Sequence, residues 1–319
     1  MRKKQTGKKF VIALGGNAIL NKGEKGVYKE QMRNIIRMAE NIAELAADKK
    51  CEIIITHGNG PQIGNIMIQN AAAKNTAPEM PIFVCGAMSQ GQIGYLIQQG
   101  LNNVLKKRNI KRRSAAVITR VVVDEKSPTF ADPVKPIGPY YTEEEAKKIT
   151  GETGCVFKED AGRGWRQVVP SPVPIKILEI DAVKILMKSG IIVIAAGGGG
   201  IPVKENNGQI SGLDAVIDKD LTAALLGDLL DADTLIILTP VEKVYLNYGK
   251  AAQSPIDKIN LKKARKYLRE GHFAEGSMKP KIEAAINFIK KDKQRKVIIT
   301  SPEKMLKALT GETGTRIFY

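Results

Sequence analysis

Long hydrophobic runs are missing from this 319-residue chain. No apolar stretch approaches the ~18 residues that a membrane-spanning helix needs. Its basic start is followed by a short apolar segment, Phe10–Leu14, that ends in glycines, which does not fit a secretory leader. A cytoplasmic protein without a membrane partner is therefore expected. Cysteine is scarce: Cys51, Cys85 and Cys155 lie far apart and form no CxxC pair. Such spacing supports neither a disulfide framework nor a zinc site, so packed, reduced thiols and no metal-ligating set are expected. Histidine is scarcer, and His57 and His272 are too distant in sequence to suggest a metal pair. Neither has a serine or cysteine nucleophile beside it, so supporting roles are expected for both. Aromatic residues make up only 5% of the chain. The formal charge is +17, but the basic clusters, such as 106–108 and 111–113, have no interleaved aromatics. Nucleic-acid surfaces usually concentrate both on one face. The charge is read instead as a solvated basic surface around a small anionic substrate, with no nucleic-acid partner.

What the chain does have is glycine at strand ends. Three apolar runs lead straight into glycine turns, at Gly15-Gly16-Asn17, His57-Gly58-Asn59-Gly60 and Gly197–Gly200. Glycine there permits positive φ and lets backbone N–H groups approach an anion. Continuous β-branched runs at 10–14, 52–56, 115–123, 191–196, 234–239 and 296–300 suit strands covered on both faces. Helical periodicity lies between them, in Met32, Ile35, Ile36, Ala39, Ile42, Ala43 and Ala46, and again after Pro280, which is expected to open a helix. The alternation predicts a layered α/β fold whose strand ends line one edge. Seven of the fifteen prolines fall between Pro128 and Pro174. That stretch reads as an insertion, either a lid or a decoration, at about 124–172 within a single domain spanning 8–319. Residues 1–7 read as a basic tail.

The glycine turns are not a Walker A loop, since no GxxxxGK[ST] string occurs. Gly58–Gly64 nearly matches a dinucleotide fingerprint, with Glu79 downstream to meet a ribose, and this motivates a nicotinamide-dependent oxidoreductase as a rival reading. Three turns on three strands better suit two anionic ligands flanking a transferred group. The Asp218-Lys219-Asp220 string reads two ways. It is either a capped, solvated first helical turn or a lysine that neutralises phosphate, with the aspartates organising lysines or a metal's water shell. Lys281 sits in a first turn, where a cation opposes the helix dipole unless an anion compensates. Lysines, aspartates and backbone N–H groups together fit phosphoryl transfer, in which positioning and charge neutralisation do most of the work.

At this level of detail the strings Ala13–Ala18, Thr56–Gly64, Met88–Tyr95, Lys158–Arg166, Val216–Asp220 and Gly271–Lys281 resemble carbamate kinases, within the amino acid kinase family. The resemblance covers about residues 8 to 319. It implies a three-layer αβα sandwich with a mainly parallel, eight-stranded open sheet and a protruding lid subdomain. It also implies reversible transfer between ATP and carbamate, giving ADP and carbamoyl phosphate, with Mg2+, in a homodimer that makes ATP in arginine fermentation. An acetylglutamate kinase-like phosphotransferase is the nearest alternative. Carried onto this chain, Gly15, Gly16 and Asn17 would face the phosphoryl group, and Gly58, Asn59 and Gly60 the carbamoyl moiety. Lys219 and Lys281 would neutralise phosphoryl oxygens, with Asp220 organising them, and Lys135 would be the lid lysine. Gly198, Gly199, Asp218, Tyr245 and Met278 would serve the nucleotide. Pro240 departs from the wider family, where aspartate often follows this Leu-Thr.

Overall fold

The computed structural model describes residues 7–319 apart from Lys22, Ala161 and Arg163 and, within a helical turn, the side chain of Asn17. The basic tail read at 1–7 thus falls, except for Gly7, outside the described residues. β1 (Lys9–Leu14) leads through α1 (Tyr28–Ala46) to β2 (Glu52–His57), followed by α2 (Gly60–Ala73) and the long α3 (Ile82–Lys107). The run expected as one strand over 115–123 is two strands, β3 (Ser114–Ala116) and β4 (Arg120–Val123), in different sheets. The break is imposed from a distance. Buried Thr119 accepts the Ala196 N–H on its hydroxyl (2.9 Å) and gives its own N–H to the Gln90 side chain (2.8 Å). Those bonds divert the backbone where local propensity would let the strand continue.

The proline-rich stretch builds β5 (Lys135–Tyr141), α4 (Glu143–Thr153), β6 (Phe157–Glu159) and β7 (Trp165–Val169). Its strands form a separate antiparallel sheet in the order β5-β7-β6. The Thr142 hydroxyl and the Glu145 carboxylate cap the start of α4 reciprocally, and Gly154 closes it at φ 73°. The chain returns through β8 (Pro174–Ile177), α5 (Ile180–Lys188) and β9 (Ile192–Ile194). The hairpin β10 (Ile201–Asn206) and β11 (Gln209–Gly212) joins β4 and β8 in a four-stranded sheet. Next come α6 (Lys219–Leu229), β12 (Thr234–Leu238), the hairpin β13 (Val244–Leu246) and β14 (Ser254–Ile256), and β15 (Lys258–Asn260). The chain finishes with α7 (Leu261–Arg269), α8 (Met278–Ile289), β16 (Lys296–Thr300), α9 (Met305–Thr310) and β17 (Thr315–Phe318).

The eight-stranded sheet runs β15-β17-β16-β12-β1-β2-β9-β3, and every neighbouring pair is parallel except β16–β17. Val11 and Ala13 of β1 face a core built with α5, α6 and α8. Phe10, Ile12 and Leu14 face the opposite core, with α1 and α3. Both faces of the central strands are covered, which explains their unbroken apolar runs. α1 buries Ile35, Ala39, Ile42, Ala43 and Ala46 as its periodicity predicts, whereas Ile36 is 41% exposed. Among the described residues, no helix is long and apolar enough to cross a membrane. β1 lies between β2 and β12, so the carboxyl ends of the central strands open on a crevice of the kind that binds ligands in such sheets.

Candidate active site

The turns after β1, β2 and β9 meet in that crevice and interlock through glycine. A Cβ on Gly58 would stand 2.9 Å from the Gly16 nitrogen, and one on Gly197 would stand 2.2 Å from His57 Nε2. A Cβ on Gly198, whose φ is 65°, would stand 2.2 Å from the Asn59 amide nitrogen. These glycines therefore let the three turns approach one another, besides leaving room for a ligand. Asn59 is held in turn by Nδ2 donating to Ser89 Oγ at 2.8 Å. His57 is buried, and its Nδ1 lies 3.1 Å from the Gly58 carbonyl. Burial pushes its pKa down to about 4, with the nearby Lys219 charge acting in the same direction. The ring is thus a neutral spacer between two turns at ordinary pH.

Five charged side chains converge at the start of α6. Asp218 caps this helix by accepting the Asp220 N–H at 2.9 Å, and its other oxygen holds Lys135 Nζ at 2.7 Å. Asp220, only 3% exposed, lies 2.7 Å from Lys219 Nζ and 3.2 Å from Lys281 Nζ. Lys281 also donates to the Ser277 carbonyl at 3.0 Å. Its helix, α8, begins at Met278, two residues before the proline expected to open it, and Lys281 stays in the first turn. Pro280 is tolerated there because first-turn N–H groups have no partner within the helix. Burial works against a charge on Lys219 and lowers its pKa, an effect that Asp220 opposes. Burial alone would raise the Asp220 pKa, but Lys219 and Lys281 overcome it and hold the carboxyl below the usual carboxylate range. Lys219 Nζ is buried and is paired with the buried Asp220 carboxylate. One carboxylate thus serves two lysines, an excess of positive charge that an arriving anion would offset.

Two adjoining cavities open on this cluster. The smaller, about 210 Å³, is lined by the glycine turns, by Lys135 and Ile137 of β5, and by Asp218, Lys219, Asp220 and Lys281. The larger, about 350 Å³, is lined by Tyr245, Tyr248, His272, Phe273 and Met278, with Thr239–Val241 along one side. Gly15, Gly16, Gly276, Ser277 and Lys281 line both. The structure thus gathers Lys135, Lys219, Asp220, Lys281, Gly15, Gly16, Gly58, Asn59 and Gly60 around the smaller space, and Tyr245 and Met278 around the larger. Asn17 lies in the first turn, its side chain outside the described residues. Gly198 and Asp218, read from sequence as nucleotide contacts, line the smaller cavity, and Gly199 lines neither. Gly199 is closely packed. A Cβ there would meet the Ile217 carbonyl at 2.3 Å, and its own carbonyl accepts the Thr222 hydroxyl at 2.9 Å. Tyr248 and Phe273, which also line the larger cavity, lie outside regular elements and follow no periodicity that would mark them in the sequence. Phe273 does fall within the Gly271–Lys281 string, and Tyr248 is signalled by its nearness to Tyr245 in the chain.

The amino acid kinase family model matches residues 8–301. The carbamate kinase of Pyrococcus horikoshii is 50% identical over 311 residues, covering 97% of this chain and 98% of that protein. Carbamate kinase 2 of Staphylococcus aureus is 48% identical with the same coverage. Among solved structures, carbamate kinase from Giardia lamblia bound to AMP-PNP superposes with a TM-score of 0.91 at 45% identity, covering 99% of each chain. With the glycine turns, the lysine–aspartate cluster and the paired cavities in place, these likenesses lead to one conclusion: the chain belongs to the amino acid kinase family, in its carbamate kinase branch.

Proposed function

We propose that this chain transfers a phosphoryl group reversibly between ATP and carbamate, forming ADP and carbamoyl phosphate. The observation that carries the reading is the buried Lys219–Asp220–Lys281 cluster at the junction of two cavities of unequal size. Two lysines against one carboxylate leave positive charge where phosphoryl oxygens would sit. Toward ATP, a β-phosphate oxygen of ADP attacks phosphorus, the new P–O bond forms, and the P–O bond to carbamate breaks. Carbamate leaves as an anion, so the step needs no proton from the protein, which suits a site whose nearest imidazole is buried and neutral.

The smaller cavity would hold the carbamoyl end against Gly58, Asn59 and Gly60, and the larger would hold the adenine among Tyr245, Tyr248, Phe273 and Met278. Residues 135–169 would act as a lid, with Lys135 reaching the smaller cavity and water excluded from labile carbamoyl phosphate. Mg2+ would enter with the nucleotide. Among the described residues no group of three His, Cys, Asp or Glu could cage a metal, and Asp218 and Asp220 are engaged by lysines. That donor set fits an ion held mainly by phosphate and water. There it would neutralise phosphate charge. A homodimer working toward ATP in arginine breakdown belongs to the same reading.

The test is purified protein with ADP, Mg2+ and carbamoyl phosphate, monitored for ATP. Robust ATP formation is expected. No ATP, together with phosphorylation of an amino acid such as acetylglutamate, would overturn the substrate assignment.

A further inference from the structure

The string Asp160–Arg166 belongs to a stretch that carries the family resemblance, Lys158–Arg166, yet none of its described residues lines either cavity. Ala161 and Arg163 lie outside the described residues. Arg166, on β7, turns back into the insertion. Its Nε and Nη2 both donate to the Gly138 carbonyl, at 3.2 and 2.9 Å. Its Nη1 reaches Asp160 Oδ2 at 3.4 Å, and the guanidinium carbon stands 5.2 Å from the Tyr140 ring centre. Gly138 has φ 69° and sits where the β5–β7 pairing changes register, between Ile137 and Tyr141. The bend that this glycine makes rests on α2, where a Cβ added to Gly64 would stand 3.1 Å from Gly138 Cα. α2 is also the helix whose first residue, Gly60, lines the smaller cavity. Lys135 begins β5, three residues before the bend.

One guanidinium therefore grips the point at which the insertion seats on the substrate-cradling helix. We propose that Arg166 is a positioning residue for phosphoryl transfer. By holding the Gly138 carbonyl it seats the β5 bend on α2 and so keeps Lys135 at Asp218 over the smaller cavity. The proposal rests on the reading of Lys135 given above. A planar fork is required, because two donors converge on one oxygen while a third reaches a carboxylate, and a lysine's point charge cannot do both.

The experiment compares Arg166→Ala, Arg166→Lys, Lys135→Ala and the double variant Arg166→Ala/Lys135→Ala. Rates of ATP formation, the KM for ADP and amide hydrogen exchange across residues 135–141 are measured. Arg166→Ala is expected to lower kcat about 10- to 100-fold, the scale of a modest misplacement of a catalytic group, and to speed exchange in β5. The KM for ADP should stay within about two-fold, because the larger cavity is built without β5. Arg166→Lys should behave like the alanine variant and carries the test should that variant fail to fold. In the double variant kcat should equal that of Lys135→Ala alone, since both changes remove one arrangement. A further ten-fold or greater loss in the double variant, or unchanged exchange at 135–141 in Arg166→Ala, would overturn the brace. A wild-type rate in Lys135→Ala alone would instead reject the lysine's role, which exchange at 135–141 does not measure.

Discussion

The smaller cavity is walled by backbone glycines and paired charges, and the larger by Tyr245, Tyr248, Phe273 and Met278. In the first, position is fixed by turns that interlock so closely that a single methyl would strike a neighbour. In the second, side chains offer flat apolar surface, with no carboxylate and no lysine or arginine beyond the shared Lys281. The difference teaches how one fold divides its labour. The glycine-built end suits interactions that strengthen as charge moves, and the aromatic end suits binding that is equal before and after reaction. Only the former accelerates chemistry, whereas uniform binding lowers KM. Substitutions should therefore separate into those that change kcat and those that change KM.

The largest effect is expected from Lys219→Ala, which removes buried positive charge and leaves Asp220 with one lysine partner. A fall in kcat of about 10³-fold in both directions, with a smaller change in nucleotide KM, is the expected result of steady-state kinetics. A near-wild-type rate would remove Lys219 from the chemistry and break the comparison at its strongest point. Gly198→Ala tests the interlocking itself. Its Cβ would displace Asn59, and the residue would have to hold a positive φ, so a loss of about 10- to 100-fold in kcat is expected. An alanine variant with unaltered kinetics would show that the turns do not need their close approach.

The glycine-built end should also leave a mark on stability. The folded-state pKa of His57 lies near 4, below the ordinary 6.5. Between those values the unfolded chain binds a proton that the folded chain refuses, so stability rises with pH across this window and falls on acidification. From about pH 7 to about pH 5 the loss attributable to this group is about 2 kcal/mol. Denaturant titrations at the two pH values measure it, and His57→Gln should flatten the dependence. An equally steep dependence in that variant would assign the loss to other groups.

At the aromatic end, Tyr245→Ala should raise the KM for ADP about ten-fold and leave kcat within about two-fold. A kcat loss larger than the KM change would mean that the two ends are not separable. The smallest effect concerns thiols. None of the three cysteines lines either cavity, and Cys51 and Cys85 are buried with their pKa values pushed up by burial. Alkylation with iodoacetamide under native conditions should leave turnover unchanged, and rapid inactivation would place a reactive thiol near the site.

The central sheet was legible in the sequence because burial on both faces leaves an unbroken apolar run, as in Phe10–Leu14 and Thr234–Leu238. The division at Thr119 was not, since residues on both sides of it are strand formers and the diverting bonds come from Gln90 and Ala196. The short strands β13, β14, β15 and β17 were missed for lack of length. In the site, glycines announced themselves, but a glycine codon says only that a side chain is unwelcome and not which neighbour excludes it. Gly199 illustrates the point, for its neighbour is the Ile217 carbonyl and neither of the two cavities is lined by it. Ile36 shows the converse, an apolar residue in helical register that no layer covers.

Gly15, Gly16, Gly276, Ser277 and Lys281 form a common wall for both cavities. To an inhibitor chemist, that wall makes the site a single branched mould. A molecule linking an adenine-like head to a carbamoyl-like tail would bend past Lys281, and its linker should carry negative charge at that bend. Selectivity among nucleotide-using enzymes would then come from the tail. The aromatic slot would take the head, and the glycine-walled chamber of about 210 Å³ beside it would decide which tails fit.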